Sequence, residues 1–192
     1  MTTRLALRID LAAWIAFALV WLVAAARVKR DRKVDPLAAR LLQIALSAAG
    51  VVLIFVRPPR FVAGESWQLV PSAAARAWLA ALLPPLGIAF AVAARLTLGR
   101  NWSGRVTLKE GHELIVRGPY RLVRHPIYAG LLLALLGSAL LHAQLTDLAG
   151  VAIFGAAFGL KMGNEERLMA AEFGEAYAGY RQRVKALVPF VI

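Results

Sequence analysis

Pro126–Met162 reads PIYAGLLLALLGSALLHAQLTDLAGVAIFGAAFGLKM. It holds two apolar runs, Pro126–Leu141 and Thr146–Met162, parted only by His142-Ala143-Gln144-Leu145. A connector this short predicts a tight antiparallel helical hairpin. Both runs are short for independent membrane crossings, which take about 20 mostly apolar residues. Gly130, Gly137, Gly150, Gly155 and Gly159 would let helices approach closely. Towards the N-terminus lie three longer apolar runs, roughly Ile9–Ala26, Ala38–Val56 and Ala77–Ala94. The last contains Pro84-Pro85, a pair that removes two backbone donors and should kink a helix.

The composition agrees with a membrane bundle. Of 192 residues, 60% are hydrophobic, and the mean hydropathy is +0.63. Globular chains stay at about 45–50%, which argues against a disordered chain and disfavours an ordinary soluble domain. The length allows one domain or two small ones. A soluble bundle of buried helices is the competing reading of the same pattern. With no cysteine, a disulfide scaffold, a thiolate metal site and a cysteine nucleophile are excluded. The first run lacks a small-residue cleavage site and is followed by a dense basic stretch, so it reads as a span rather than a signal peptide.

The net charge of +12 could suggest nucleic acid, but the charges sit between apolar runs and not along one amphipathic face. A membrane surface is the better partner, and no nucleic acid is expected. Arg27-Val28-Lys29-Arg30-Asp31-Arg32-Lys33 is densely basic, whereas the next connection carries only Arg57, Arg60 and Arg76. After the third run come Arg95, Arg100, Arg105, Lys109, Arg117, Arg121 and Arg124. The positive-inside rule then predicts five spans, with the N-terminus outside and the C-terminus cytoplasmic. The expected fold is therefore all-α: an integral membrane bundle of about five transmembrane helices with a C-terminal cytoplasmic amphipathic helix. It divides into an N-terminal three-helix region, 1–94, and a core, 95–192.

Two polar segments carry the candidate chemistry. The first runs from Leu98-Gly99-Arg100-Asn101-Trp102-Ser103-Gly104 through Glu110-Gly111-His112-Glu113 to Gly118-Pro119-Tyr120 and Arg124-His125-Pro126-Ile127-Tyr128. Val106-Thr107-Leu108 and Leu114-Ile115-Val116 can be short extended pieces around Glu110-Gly111. Gly118-Pro119 reads as a turn. Pro126 suits the first position of a helix, whose free amides favour an anion. The second segment is Asn164-Glu165-Glu166-Arg167-Leu168, then Phe173-Gly174, Tyr177, Tyr180, Arg181, Arg183 and Val184, with apolar residues near helical spacing. Each feature has a plainer reading. The paired glutamates suit a helix start, Arg121 and Arg124 suit membrane anchors, His125 suits a satisfied helix-start ring, and the tyrosines suit an interfacial belt. His112 and His142 have no metal-site spacing, and no metal is expected.

In combination, Gly118-Pro119-Tyr120, Arg124-His125-Pro126, Tyr128, Gly130, the paired glutamates and Phe173-Gly174 with Tyr177, Tyr180 and Arg183-Val184 resemble the isoprenylcysteine carboxyl methyltransferase family. The likeness is nearest to the short bacterial members, and more distant to phospholipid N-methyltransferases. It covers roughly residues 95–190. It implies an integral membrane enzyme using S-adenosylmethionine, in a prokaryotic inner membrane, with a site built by the last two membrane helices. The absence of a Gly-rich strand-to-helix fingerprint agrees with a site unlike a Rossmann domain. The implied cofactor-binding residues are Tyr120, His125, Pro126, Tyr128, Glu165 and Glu166. The implied catalytic residues are Arg183, Glu166 and Arg124, with Arg183 preferred to Arg181 for facing a substrate carboxylate. The expected acceptor is a prenylcysteine-like or other lipophilic small molecule. Trp102, Trp78 and the Pro84-Pro85 kink are expected at its lipid-side opening. Methylation of an amine or thiol, and a non-catalytic membrane protein keeping the fold, are the alternatives. One departure stands out: Lys185 follows Val184 where many relatives have proline, which leaves the path of the tail open.

Overall fold

A computed structural model describes residues 1–25, 31–34, 37–56, 72–102, 107–109, 113–142 and 144–189. Five helices dominate it: α1 (Thr3–Ala25), α2 (Leu37–Phe55), α3 (Ala73–Leu98), α4 (Pro126–Leu140) and α5 (Leu145–Arg183). Among the described residues, α1, α2, α3 and α5 are long and apolar enough to cross a membrane. The 15 residues of α4 form a shorter apolar helix. At 1.5 Å per residue it spans about 22 Å, less than the roughly 30 Å of a hydrocarbon core. Leu11, Leu22, Leu37 and Leu86 point outwards and are more than half exposed. Outward leucines on such helices suit lipid, and the molecule is an integral membrane protein of the expected all-helical class.

The interior is built from small side chains. Ala6 packs with Ala77, Ala80 and Ala81, and Ala13 packs with Ile88 and Ala134. These pairings set α1 parallel to α3. Helix α4 lies antiparallel along α3. A Cβ on Gly137 would meet Pro84 Cδ at 2.6 Å, and one on Gly87 would run into the Gly130 carbonyl oxygen. Helix α5 packs along α2, where a Cβ on Gly50 would meet the Gly150 carbonyl oxygen at 2.7 Å. The glycines therefore serve helix contact as expected, mostly outside the α4–α5 hairpin, within which a Cβ on Gly155 would lie 3.7 Å from Leu132 Cδ2. Gly130 and Gly137 face α3, Gly150 faces α2, and Gly159 meets nothing within 4 Å. The short connector makes α4 and α5 neighbours in sequence, while side-chain size gives each its main partner elsewhere.

Two helices carry irregular positions. Helix α3 continues through Pro84-Pro85 without leaving helical conformation. The 39 residues of α5 comprise two helices that meet across a kink at Gly174 (φ 50°, ψ −123°), so the C-terminal helix is set off there, ten residues later than Asn164. Glu165 and Glu166 thus lie deep inside a helix, and a helix-start role is excluded. The apolar period of the span runs on into the amphipathic segment without a capping residue strong enough to end it.

A two-stranded antiparallel sheet joins β1 (Asp31–Val34) to β2 (Thr107–Lys109), with Val34 opposite Thr107. It ties the segment after α1 to the segment after α3, so both emerge at the same end of the bundle. The basic residues Arg27, Lys29, Arg30, Arg57 and Arg60, the Ser103-Gly104 and Glu110-Gly111 pairs, His112 and Ala143 lie outside the described residues.

Candidate active site

The site forms where the segment before α4 meets the far part of α5. Gly118 adopts φ 58°, a left-handed conformation that favours glycine, and opens a 3-10 turn over Gly118–Arg121. That turn buries Tyr120 and leads into Arg124-His125. Pro126 is the first residue of α4 and His125 precedes it as the N-cap, as the sequence predicts. The tail then returns alongside. Arg124 N–H donates to the Lys185 carbonyl at 2.8 Å, and His125 N–H to the Ala186 carbonyl at 3.0 Å. Because the tail contributes carbonyl oxygens to both bonds, proline at position 185 is not needed for this path. The Tyr180 hydroxyl donates to the Tyr120 carbonyl at 2.7 Å, a second tie between the same two segments.

An ionic cluster sits at this junction. Arg124 donates to Glu166 Oε1 from Nη2 at 2.6 Å and from Nε at 3.0 Å. Its Nη1 donates to the Val184 carbonyl at 2.6 Å. Arg181 Nε stands 3.5 Å from Glu166 Oε2. His125 lies between the two glutamates, with Nε2 3.2 Å from Glu166 and Nδ1 3.6 Å from Glu165. Burial opposes charging of the His125 ring, but its contacts with Glu165 and Glu166 outweigh that and raise it above the ordinary histidine range. The Tyr128 hydroxyl donates to Glu165 Oε1 at 2.6 Å, and the Tyr128 and His125 rings stack with centroids 5.5 Å apart.

A cavity of about 320 Å³ opens beside the cluster. Its polar end is formed by Tyr120, Arg124, His125, Tyr128, Lys161 and Glu165. Its apolar end is formed by Phe17 and Trp21 of α1 with Leu98, Trp102, Leu131 and Phe158. Along α5 the lining residues are Phe158, Lys161, Glu165, Leu168 and Met169, a spacing that presents one helix face. After the break at Gly174, Tyr177 and Tyr180 close the cavity from above. One space thus holds two acidic groups, Glu113 and Glu165, an imidazole, aromatic walls and a greasy arm reaching to α1. That combination suits a ligand with a charged polar part meeting a lipophilic one.

Residues 80–171 match the profile of the isoprenylcysteine carboxyl methyltransferase (ICMT) family. This stretch of the chain is similar to that family. Among similar proteins, protein-S-isoprenylcysteine O-methyltransferase B of Arabidopsis thaliana is 31% identical over 99 residues, 50% of this chain and 50% of that protein. The cobalt-zinc-cadmium resistance protein CzcN of Cupriavidus metallidurans is 35% identical over 117 residues, 58% of this chain and 51% of that one. A solved structure of the eukaryotic intramembrane Ras methyltransferase ICMT aligns with a TM-score of 0.48 at 22% identity, covering 79% of this chain and 63% of that one. The chain spans about half the length of the curated relatives it matches.

The matched stretch contains Tyr120, Arg124, His125, Pro126, Tyr128, Glu165 and Glu166, and the fold brings them together. Tyr120, Arg124, His125, Tyr128 and Glu165 line the cavity. Glu166 does not; it is turned to Arg124 and Arg181. Arg183 is the last residue of α5, is exposed and does not line the cavity. Trp102 lines it, whereas Trp78 is exposed elsewhere.

Two participants were not singled out by sequence reasoning. Lys161 enters the cavity one helical turn before Glu165; its spacing from Glu165 was the available signal. Arg95, counted in the sequence with the cytoplasmic basic residues, is only 3% exposed. It donates to the Gly99 carbonyl at 2.8 Å and the Ala24 carbonyl at 2.7 Å, and lies 4.3 Å from the centre of the Trp102 ring. No local pattern marks an arginine as buried when its partners are main-chain carbonyls at two helix ends.

Proposed function

We propose that the protein is a membrane methyltransferase that uses S-adenosylmethionine and acts on the carboxylate of a prenylcysteine-like or other lipophilic acceptor. The observation that carries this reading is Glu165: a carboxylate facing a cavity whose other arm is apolar and reaches α1. The donor set fits the methyl donor. Glu165 offsets a cationic methionyl part, and His125 with the amides starting α4 holds a carboxylate. Tyr120, Tyr128, Tyr177 and Tyr180 wall an adenosine. S-adenosylmethionine, when bound, supplies an electrophilic methyl group.

The residues of the chain do the rest. A carboxylate acceptor is ionised at neutral pH, so no general base is required. The walls exclude water and align the reactants, and alignment of this kind contributes about 7–11 kcal/mol. Arg124 acts by fixing Glu166 and the tail, which keeps His125 in place. The positive-inside pattern supports a site at the cytoplasmic face of an inner membrane, where a water-soluble donor and a bilayer-borne acceptor meet.

The test is calorimetry on detergent-purified protein with S-adenosylmethionine and S-adenosylhomocysteine. Binding is expected, and it should weaken in Glu165→Gln and His125→Ala. Folded protein that binds neither compound overturns the reading. Comparing an S-prenylated cysteine with its carboxamide tests the acceptor class; equal methylation of the carboxamide overturns carboxyl transfer.

A further inference from the structure

The face of α5 that lines the cavity has an order. Phe158 comes first, 5% exposed, with its ring 4.4 Å from that of Tyr128. Lys161 follows, its Nζ 5.5 Å from the centre of the same Tyr128 ring. Glu165 comes next, bonded to the Tyr128 hydroxyl and within electrostatic reach of Lys161. The sequence along this face is therefore apolar, cationic, anionic. Lys161 lies sixteen residues beyond Leu145, about 24 Å along the helix at 1.5 Å per residue. That distance puts it near the end of a bilayer crossing, where a lipophilic molecule presents its polar head.

The other cations at the cavity's polar end are differently placed. Arg124 donates to Glu166 and to the Arg181 and Val184 carbonyls, and His125 faces both glutamates. Arg183 does not line the cavity. Lys161 alone of these stands between the apolar wall and Glu165. A compact ammonium on a flexible stem attracts a carboxylate without the bidentate clamp of a guanidinium, and so leaves an oxygen available for reaction.

We propose that Lys161 is the residue that holds the acidic group of the methyl acceptor and selects an anionic acceptor over an amine. This rests on the function proposed above. A bilayer-borne acid enters past Phe17, Trp21 and Phe158 and meets Lys161, while the cationic donor sits at Glu165. The oppositely charged pair on one helix face thus sets the two reactants head to head. A cationic amine entering the same way is repelled by Lys161.

The experiment measures binding without turnover. Detergent-purified wild type, Lys161→Met and Lys161→Arg are titrated with an S-prenylated cysteine, with its carboxamide, and separately with S-adenosylhomocysteine. Lys161→Met should weaken carboxylate binding by about tenfold or more, the loss of roughly one charge-assisted contact. The carboxamide should bind both proteins alike, Lys161→Arg should retain most of the affinity, and S-adenosylhomocysteine affinity should stay within about twofold. Retained S-adenosylhomocysteine binding also certifies the fold. If wild type binds both ligands and Lys161→Met takes the carboxylate equally well, the assignment of Lys161 is overturned while the function stands. The same holds if Lys161→Met loses S-adenosylhomocysteine as much as the acid. Wild type that binds neither ligand overturns both.

Discussion

Glu165 and Glu166 are adjacent in sequence yet face different surroundings: Glu165 opens on the cavity and bonds Tyr128, while Glu166 is clamped by Arg124 at 2.6 Å. Successive residues on a helix point about 100° apart, so one pair of acids can serve two ends. Their neutral variants should separate accordingly. Glu165→Gln is expected to weaken S-adenosylhomocysteine binding by about tenfold or more with little change in melting temperature. Glu166→Gln should instead lower stability by about 1–3 kcal/mol, because it removes the negative charge that two Arg124 donors face and leaves the guanidinium uncompensated. Calorimetry and thermal unfolding in detergent check the pair. Equal effects of both variants on both readouts would contradict the division of labour.

Tyr180→Phe tests the tie between the end of α5 and the turn before α4. Both tyrosines are buried, and the lost hydroxyl leaves the Tyr120 carbonyl without this 2.7 Å donor. The expected cost is about 1–3 kcal/mol, read as a lower midpoint in detergent unfolding. An unchanged midpoint would mean the tie contributes nothing net.

The His125 ring supplies a pH dependence with a definite sign. Its contacts with Glu165 and Glu166 raise it above the usual value despite burial, so the folded protein holds this proton more tightly than the unfolded chain. The stabilisation is complete below the unfolded value of about 6.5. It is lost as pH rises through the higher folded value. Stability measured from mildly acidic to alkaline pH should fall across that window, and His125→Gln should flatten this part of the profile. A wild-type profile as flat as that of the variant would remove the cluster as a source of stability.

Close helix contact predicts a graded response to added methyl groups. Gly50→Ala and Gly87→Ala push a Cβ against backbone carbonyl oxygens and should destabilise the α2–α5 and α3–α4 contacts by about 1–3 kcal/mol. Gly159→Ala meets nothing within 4 Å and should be neutral or stabilising by up to about 1 kcal/mol. Thermal unfolding of the three variants in one detergent decides it, and a loss at Gly159 equal to that at Gly87 would count against the packing described.

The helices were legible in the sequence because membrane crossing demands long apolar runs: the first four match their observed bounds to within about six residues, and the fifth matches at its start. Their partners were not. Which glycine meets which backbone depends on helix rotation, and hydropathy does not report rotation; Gly130 and Gly150 allow close packing as expected, and their partners are α3 and α2. The end of the last span was missed for a related reason: the helical period carries on past Met162 to Arg183, and Gly174 breaks the conformation later than composition suggests. At the site, the convergence of Arg124, His125 and Tyr128 on Glu165 and Glu166 was readable as a motif, through the family likeness. The separate surroundings of the two glutamates, the burial of Arg95 and the place of Lys161 were not, because they follow from three-dimensional neighbours that no local spacing encodes.

The left-handed residue at position 174 has a mechanical consequence. A lipid bilayer whose thickness changes makes a long rigid rod tilt. Here the rod is jointed at Gly174, and the segment beyond the joint is fastened to the turn before α4 through Tyr180. A joint at that place gives lean in the rod somewhere to be taken up other than at the hydrogen bond that ties the aromatic roof to the floor beneath it.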